Sequence, residues 1–117
     1  MSVLSEIQNI LNTLDLPSET GAFTDTPSDE YVVITPMVDT FEVFADDVPI
    51  AEIQEVRLSL FSKGNYLQRK NQIVQKLIQA GFTITDRRYI GREDDTKYHH
   101  VAIDCEIASE YEFKEDI

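Results

Sequence analysis

The chain has 117 residues, of which 42% are hydrophobic and 27% charged, and this length fits one domain that buries roughly two thirds of its unfolded surface. A formal net charge of −12 disfavours free nucleic acid and anionic membranes as partners. No apolar run approaches the roughly 20 residues that span a bilayer, and the opening MSVLSEIQNI lacks the order of a secretory signal.

The charges are unevenly distributed along the chain. Residues 1–56 hold 12 acidic and no basic residues, residues 57–97 hold nine basic and four acidic, and residues 98–117 hold one basic and six acidic. The segments either neutralise one another within one fold or form acidic and basic surfaces that attract neighbouring copies. Head-to-tail contacts of the second kind build rings or filaments.

The first predicted elements are a helix, a loop and a strand. Ser2 caps a helix whose apolar residues recur at helical spacing until Pro17 ends it. Residues 17–30 are rich in turn formers and acids, which predicts a loop. The stretch YVVITPM, Tyr31 to Met37, predicts a strand, and Pro36 places it at a sheet edge or near a strand end.

A second strand region and a second helix follow. Asp46 and Asp47 predict a turn, and the helix is delimited by an Asn65 cap, Gln68 three residues later and Gly81 at the end. The predicted apolar stripes are Val56, Leu58 and Leu60 on the strand, and Tyr66, Ile73, Leu77 and Ala80 on the helix, with Val74 and Ile78 beside it.

The chain closes with two alternating stretches, FTITDRRYIG and YHHVAIDCEI, that predict a hairpin. The fold class is therefore α+β, with two helices packed on one face of a mainly antiparallel sheet in the order α-β-β(-β)-α-β-β. We expect one domain over residues 1–107. Residues 108–117 form an acidic tail that is either disordered or docked on a neighbouring subunit.

The stretch EDDTKYHH, residues 93–100, concentrates carboxylates and both histidines. Adjacent strand residues point to opposite faces, so His99 closes the end of the core and His100 lies on the other face. Asp94 and Asp95 are expected in an exposed acidic turn. We expect no metal and no cofactor here; the alternative is a small metal-dependent enzyme that uses Asp94, Asp95 and His100.

No other catalytic set is evident in the sequence. The single cysteine, Cys105, excludes an internal disulfide and fits synthesis in a reducing cytoplasm. Its place on the apolar face of a strand predicts a protonated, inert thiol. Gly-rich phosphate loops, G-x-S-x-G and HExxH are absent. Arg87 and Arg88 either pair across the sheet or serve an interface.

Two phrases resemble small tail-completion proteins of long-tailed phages and prophages of Gram-positive bacteria, the tail terminator or tail-to-head joining proteins. They are FEVFADDVPIAEIQEVRLSLFSKGNY, Phe41 to Tyr66, and AGFTITDRRYIGREDDTKYHH, Ala80 to His100. The resemblance covers roughly Tyr31 to Cys105 and lies in the order and spacing of the phrases. Asp47 stands where the family pattern has Asn, and the acidic end from Glu110 maps to no part of it.

The resemblance implies a structural protein rather than an enzyme. Such a protein ends tail-tube polymerisation and joins tail to head as a ring, usually of six subunits. The implied partners are further copies, the tail-tube protein and a head-completion protein, with no specific nucleic-acid binding and no membrane. The implied location is the head–tail junction of the virion, after synthesis in the host cytoplasm. Candidates for subunit or tail-tube contacts are Lys63, Arg69, Arg87 and Arg88. A monomeric acidic adaptor domain is the other alternative.

Overall fold

The computed structural model describes residues 2–21, 28–45 and 48–110, with backbone alone for 42–45, 48–50 and 110. The elements are α1 (Val3–Thr13), β1 (Ser18–Thr20), β2 (Glu30–Ala45), β3 (Val48–Ser62), α2 (Tyr66–Gln79), β4 (Thr83–Arg92) and β5 (His99–Glu110). The strands form one sheet in the order β1-β2-β3-β5-β4. Only the β1–β2 pair is parallel, so the α+β class with a mainly antiparallel sheet is confirmed.

The first helix begins as predicted and ends earlier than predicted. The Ser2 hydroxyl oxygen accepts a hydrogen bond from the Ser5 amide at 3.1 Å, which satisfies one of the unpaired amides at the helix start. Asp15 adopts a positive φ of 55°, and the Leu16 amide donates to the Leu11 carbonyl at 3.0 Å. A left-handed residue with this back-bond is a Schellman ending, so the helix stops before Pro17 is reached.

The second helix has both predicted caps. The Asn65 side chain accepts from the Gln68 amide at 3.1 Å. At the other end Gly81 has a φ of +96°, and the Phe82 amide donates to the Leu77 carbonyl at 3.0 Å. This is a second Schellman motif, and glycine fits because its left-handed conformation carries no Cβ penalty.

The core lies between the two helices and one face of the sheet. The strand residues Val56, Leu58 and Leu60 alternate with less buried neighbours, as predicted. Ile78 is the exception to the predicted helix stripe, because it is exposed and points away from the core. The buried cluster is Ile7, Leu11, Leu16, Val32, Ile34, Val56, Leu58, Leu60, Ile73, Val74, Leu77, Phe82, Val101, Ile103 and Cys105.

Three sequence-based boundaries need correction. The predicted loop 17–30 contains β1, whose Ser18 pairs with Val32. The strand that starts near Tyr31 does not end near Pro36; it continues to Ala45 through a bulge between Pro36 and Val38. The expected domain boundary at residue 107 falls within β5, which pairs with β3 up to Glu110. The predicted Asp46-Asp47 turn and residues 111–117 lie outside the described residues.

Beyond the core, β2 and β3 continue as a projecting arm, defined here as residues 35–45 and 48–55, and the end of β5 pairs with its β3 strand from Ala51 to Glu55. Among described side chains, burial of apolar residues ends at Ile34 on β2 and resumes at Val56 on β3. The 16 residues of β2 span about 50 Å at roughly 3.3 Å per residue. The molecule measures 54 × 25 × 24 Å, so the arm determines its long axis.

Candidate functional site

The acidic turn of residues 93–98 closes the β4–β5 hairpin. The Glu93 amide donates to the Tyr98 carbonyl at 2.9 Å, and the Lys97 amide donates to the Glu93 carbonyl at 2.8 Å. Lys97 has a positive φ of 68°. Asp94 and Asp95 lie exposed at the tip of this turn. The local backbone bonds therefore account for the turn without an ion.

The two histidines lie on opposite faces of β5. The His99 ring lies 4.6 Å from the Tyr66 ring on the helix side, and its Nδ1 is 2.9 Å from the Tyr89 hydroxyl oxygen. The His100 ring stacks on Phe61 with centroids 4.4 Å apart on the other face. The two imidazoles therefore cannot share one ion. Among the side chains that the structure describes, no three of His, Cys, Asp or Glu form a group that could hold a metal.

An aromatic row crosses the sheet on the face opposite the helices. Tyr31 stacks on Phe61 with centroids 4.8 Å apart, and Phe61 stacks on His100. Tyr98 meets Tyr31 edge-on at 5.2 Å. These rings pack because Phe61 opposes Tyr31 on β2 and His100 on β5 in the strand register. The alternation of side chains along each strand predicts which residues share a face. The sequence carries no signal for the register in which the strands pair.

Burial changes the acid–base properties of two groups on β5. Desolvation lowers the pKa of His100 below its ordinary value, and its Nε2 is buried with no hydrogen-bond partner among the described residues. Desolvation raises the pKa of the Cys105 thiol to about 12, and its Sγ donates weakly to the Val56 carbonyl at 3.7 Å. Cys105 is therefore the buried, protonated thiol expected from its position.

Two of the four candidate basic residues lie near the start of α2. Lys63 Nζ is 3.9 Å from an Asp29 carboxylate oxygen and 4.8 Å from the centre of the Tyr98 ring. Arg69 Nε donates to Glu30 at 3.0 Å, with both side chains mostly covered. Arg69 therefore ties α2 to β2, and it is less available to a partner than its sequence position suggested.

The other two candidates lie on β4, and the structure does not bring them near the first pair. Arg88 is 3.0 Å from Asp86 on its own strand, while Arg87 is exposed. The cross-strand ion pair considered for these arginines occurs instead between Arg57 and Asp104. There the guanidinium donates twice to the carboxylate, at 2.7 and 3.0 Å.

The outer strands of the described sheet are β1 and β4. Two of its segments carry exposed apolar residues: β4, and β2 beyond Ile34, where the pairing with β1 ends. Large apolar side chains are exposed along both: Met37 49%, Val38 47% and Phe41 46% on the arm, and Tyr89 49% and Ile90 52% on β4. Exposed apolar residues near the margin of a sheet are a typical feature of an association site.

The comparisons with known proteins do not assign this chain to a family. None of the helices in the described ranges is long and apolar enough to cross a bilayer. No protein-family model and no curated protein matched this chain.

Proposed function

We propose that the chain is a structural assembly protein of long-tailed phages or prophages, which ends tail-tube polymerisation and joins tail to head as a ring. The two phrases that resemble this family, Phe41–Tyr66 and Ala80–His100, lie far apart in sequence. In the fold they supply β3, β4 and the start of β5, and β3 and β4 flank β5 on either side. The two phrases therefore supply the strands on both sides of β5.

The observation that carries the proposal is the projecting arm. It extends past the helix-covered core and exposes Met37, Val38 and Phe41. These three side chains lie outside the buried cluster, and a lone monomer would leave their apolar surface in water. Contact with other protein subunits explains both features.

Three of the described titratable residues have structural roles in the fold. Glu30 is paired with Arg69, Asp104 with Arg57, and Cys105 is buried with its pKa raised to about 12. A catalytic nucleophile needs an accessible side chain next to a base. The metal-dependent alternative has no geometric support, because Asp94 and Asp95 lie in the turn while His100 lies in the aromatic row.

The proposal is tested by deleting the coding sequence from a phage or inducible prophage that carries it. We expect unjoined heads and tails of irregular length in electron micrographs of lysates. Complementation with the native sequence should restore joined particles, and complementation with Phe41→Ser combined with Val38→Ser should not. Joined particles with tails of uniform length after deletion would refute the proposal.

A further inference from the structure

We propose that the α2–β4 strip of one copy docks on the face of the sheet opposite the helices in a second copy, at the paired carboxylates of Glu55 and Glu106. The α2–β4 strip is an apolar and basic surface along α2 and β4, and its members are Leu67, Lys70, Ile78, Arg87, Tyr89 and Arg92. The inference deepens the proposed function and rests on it for the premise that the chain self-assembles.

The α2 part of the strip lies on the side of the helix that faces away from α1. Gln72 and Lys76 line a surface cavity together with Leu14, the C-cap of α1, so they face α1. Successive helix residues are rotated by roughly 100°, which places Leu67 and Ile78 on the opposite side of α2. These two side chains are 52% and 56% exposed, so the subunit itself leaves this side of α2 in water.

The β4 part of the strip lies beside α2 on the helix side of the sheet. Arg87, Tyr89 and Arg92 each oppose a residue of β5 that faces the helices, and directly paired residues share a face. The Tyr89 ring lies 5.3 Å from the ring of Tyr66 at the start of α2. Tyr89 is 49% exposed, so the apolar surface continues from α2 onto β4.

The strip carries positive charge without a compensating acid. The sequence of α2, YLQRKNQIVQKLIQ, contains no Asp or Glu, and Asp86, the acid of β4, opposes Asp104 on the other face of the sheet. None of the carboxylates that the structure describes forms an ion pair with Lys70, Arg87 or Arg92. An apolar surface flanked by unpaired bases fits a partner that offers carboxylates.

Two carboxylates lie side by side on the face of the sheet opposite the helices. Glu55 of β3 directly opposes Glu106 of β5, and each is next in sequence to a core residue, Val56 or Cys105, so both point away from the helices. Val38 of β2, 47% exposed, opposes Glu55 and adds an apolar side chain to this row. Like charges directly opposite each other destabilise a strand pair, and a basic group supplied by a second copy would remove the repulsion.

The described part of the subunit supplies no base to these two glutamates. Arg57 and Arg88 lie on the same face of the sheet, but they already bind Asp104 and Asp86. The ion pairs of the described side chains include neither glutamate. The strip and the glutamate pair therefore have opposite uncompensated charges, and a second copy of the chain brings the one to the other.

The two surfaces lie on opposite sides of the sheet, which makes the contact heterologous. Two strips placed together would oppose arginine with arginine, and two glutamate pairs placed together would oppose carboxylate with carboxylate, so the charges disfavour a symmetric dimer. A heterologous contact that repeats from copy to copy builds a closed ring or an open chain.

A charge-swap experiment tests the contact with the purified full chain. The strip variant is Lys70→Glu with Arg87→Glu, and the carboxylate variant is Glu55→Lys with Glu106→Lys. By sedimentation velocity we expect each variant alone to associate about tenfold or more weakly than the native chain. An equimolar mixture should recover association, because each variant then meets a complementary surface on the other.

The matched control is Lys76→Glu with Lys97→Glu, which makes the same change of charge on the α1 side of α2 and in the turn of residues 93–98. The control should associate like the native chain, and circular dichroism establishes that each variant is folded.

A second measurement needs no variant. Labelled (nitrogen-15) and unlabelled native chains are mixed and treated with a carbodiimide, which joins a lysine amine to a nearby carboxylate. We expect mass spectrometry to find Lys70 joined to Glu55 or Glu106 in peptides that combine one labelled and one unlabelled partner. Such mixed peptides form only between copies.

The contact is overturned by a native chain that stays monomeric up to about 1 mM, by charge variants that associate like the native chain, or by a mixture that does not recover. A control that weakens association as much as the strip variant, or Lys70 cross-links without mixed labelling, would also overturn it. The outcome is separable from that of the proposed function. Failed association together with defective particles in the deletion host refutes only the contact. Recovered association with normal particles refutes only the tail role.

Discussion

At the scale of single residues, the two faces of β5 place neighbouring side chains in different surroundings. Ile103 and Cys105 lie in the core between sheet and helices. His100, on the other face, stacks on Phe61 with its Nε2 buried and without a hydrogen-bond partner among the described residues. The strand alternation that separates His99 from His100 thus gives each a structural role on its own face.

His100 should make stability depend on pH. Burial lowers its pKa from the ordinary value of 6.5, against the raising effect of Glu93, so the folded state favours the neutral ring. This contribution to stability is complete above the pKa that His100 has in the unfolded chain. It is lost as the pH falls through that value towards the lower pKa of His100 in the folded state.

The variant that tests this dependence is His100→Phe, which keeps a ring on Phe61 and removes a buried nitrogen that has no hydrogen-bond partner among the described residues. In urea unfolding, the free energy of unfolding of the variant minus that of the native chain should increase as the pH is lowered from about 8 to about 5. A free-energy difference that stays constant across this range would contradict the account.

Core packing is tested by two leucines of the same helix. Leu77 is fully buried and Leu67 is exposed. Leu77→Ala should lower the free energy of unfolding by about 2–5 kcal/mol, because a cavity is left in the core. Leu67→Ala should change it by less than about 0.5 kcal/mol. Equal effects in chemical denaturation would mean that α2 does not pack through the stripe described.

At the scale of elements, the chain's local signals explain the helices better than the sheet. Asn65 and Gly81 are capping residues whose chemistry acts within one turn, so α2 was predictable within a residue. The length of β2 is not predictable in this way, because Pro36 is a strand breaker and is accommodated here at a bulge beyond the last pair with β1 at Ile34. The three-residue β1 has no periodicity to detect, since its position depends on pairing with Val32–Ile34.

The helix ending at Gly81 can be tested against a second glycine. A Cβ at Gly81 or at Gly64 would meet nothing within 4 Å, but Gly81 alone of the two has a left-handed φ, +96°. Gly81→Ala should therefore cost about 1–2 kcal/mol of stability through backbone strain alone. Gly64→Ala should stay within about 0.5 kcal/mol. Thermal or urea unfolding of both variants makes the comparison, and an unchanged Gly81→Ala stability would exclude the Schellman ending.

At the scale of the whole molecule, the uneven charge along the sequence becomes a spatial feature. Arg69 and Arg57 are used inside the fold, in pairs with Glu30 and Asp104. Arg87 and Arg92 stay at the β4 edge while Asp39 and Glu52 lie on the arm. The sequence predicts interface arginines, and the ion pairs of the structure show which arginines bind a carboxylate of the same chain.

Tail-tube growth in vitro tests the central claim most directly. Purified tail-tube protein from the same phage is polymerised with and without the chain, and tube lengths and ends are measured by electron microscopy. We predict that the chain forms a ring on the tube end and stops elongation, and that Arg87→Glu with Arg92→Glu fails to do so. Tubes that elongate equally in the presence of the native chain, with bare ends, would contradict the account.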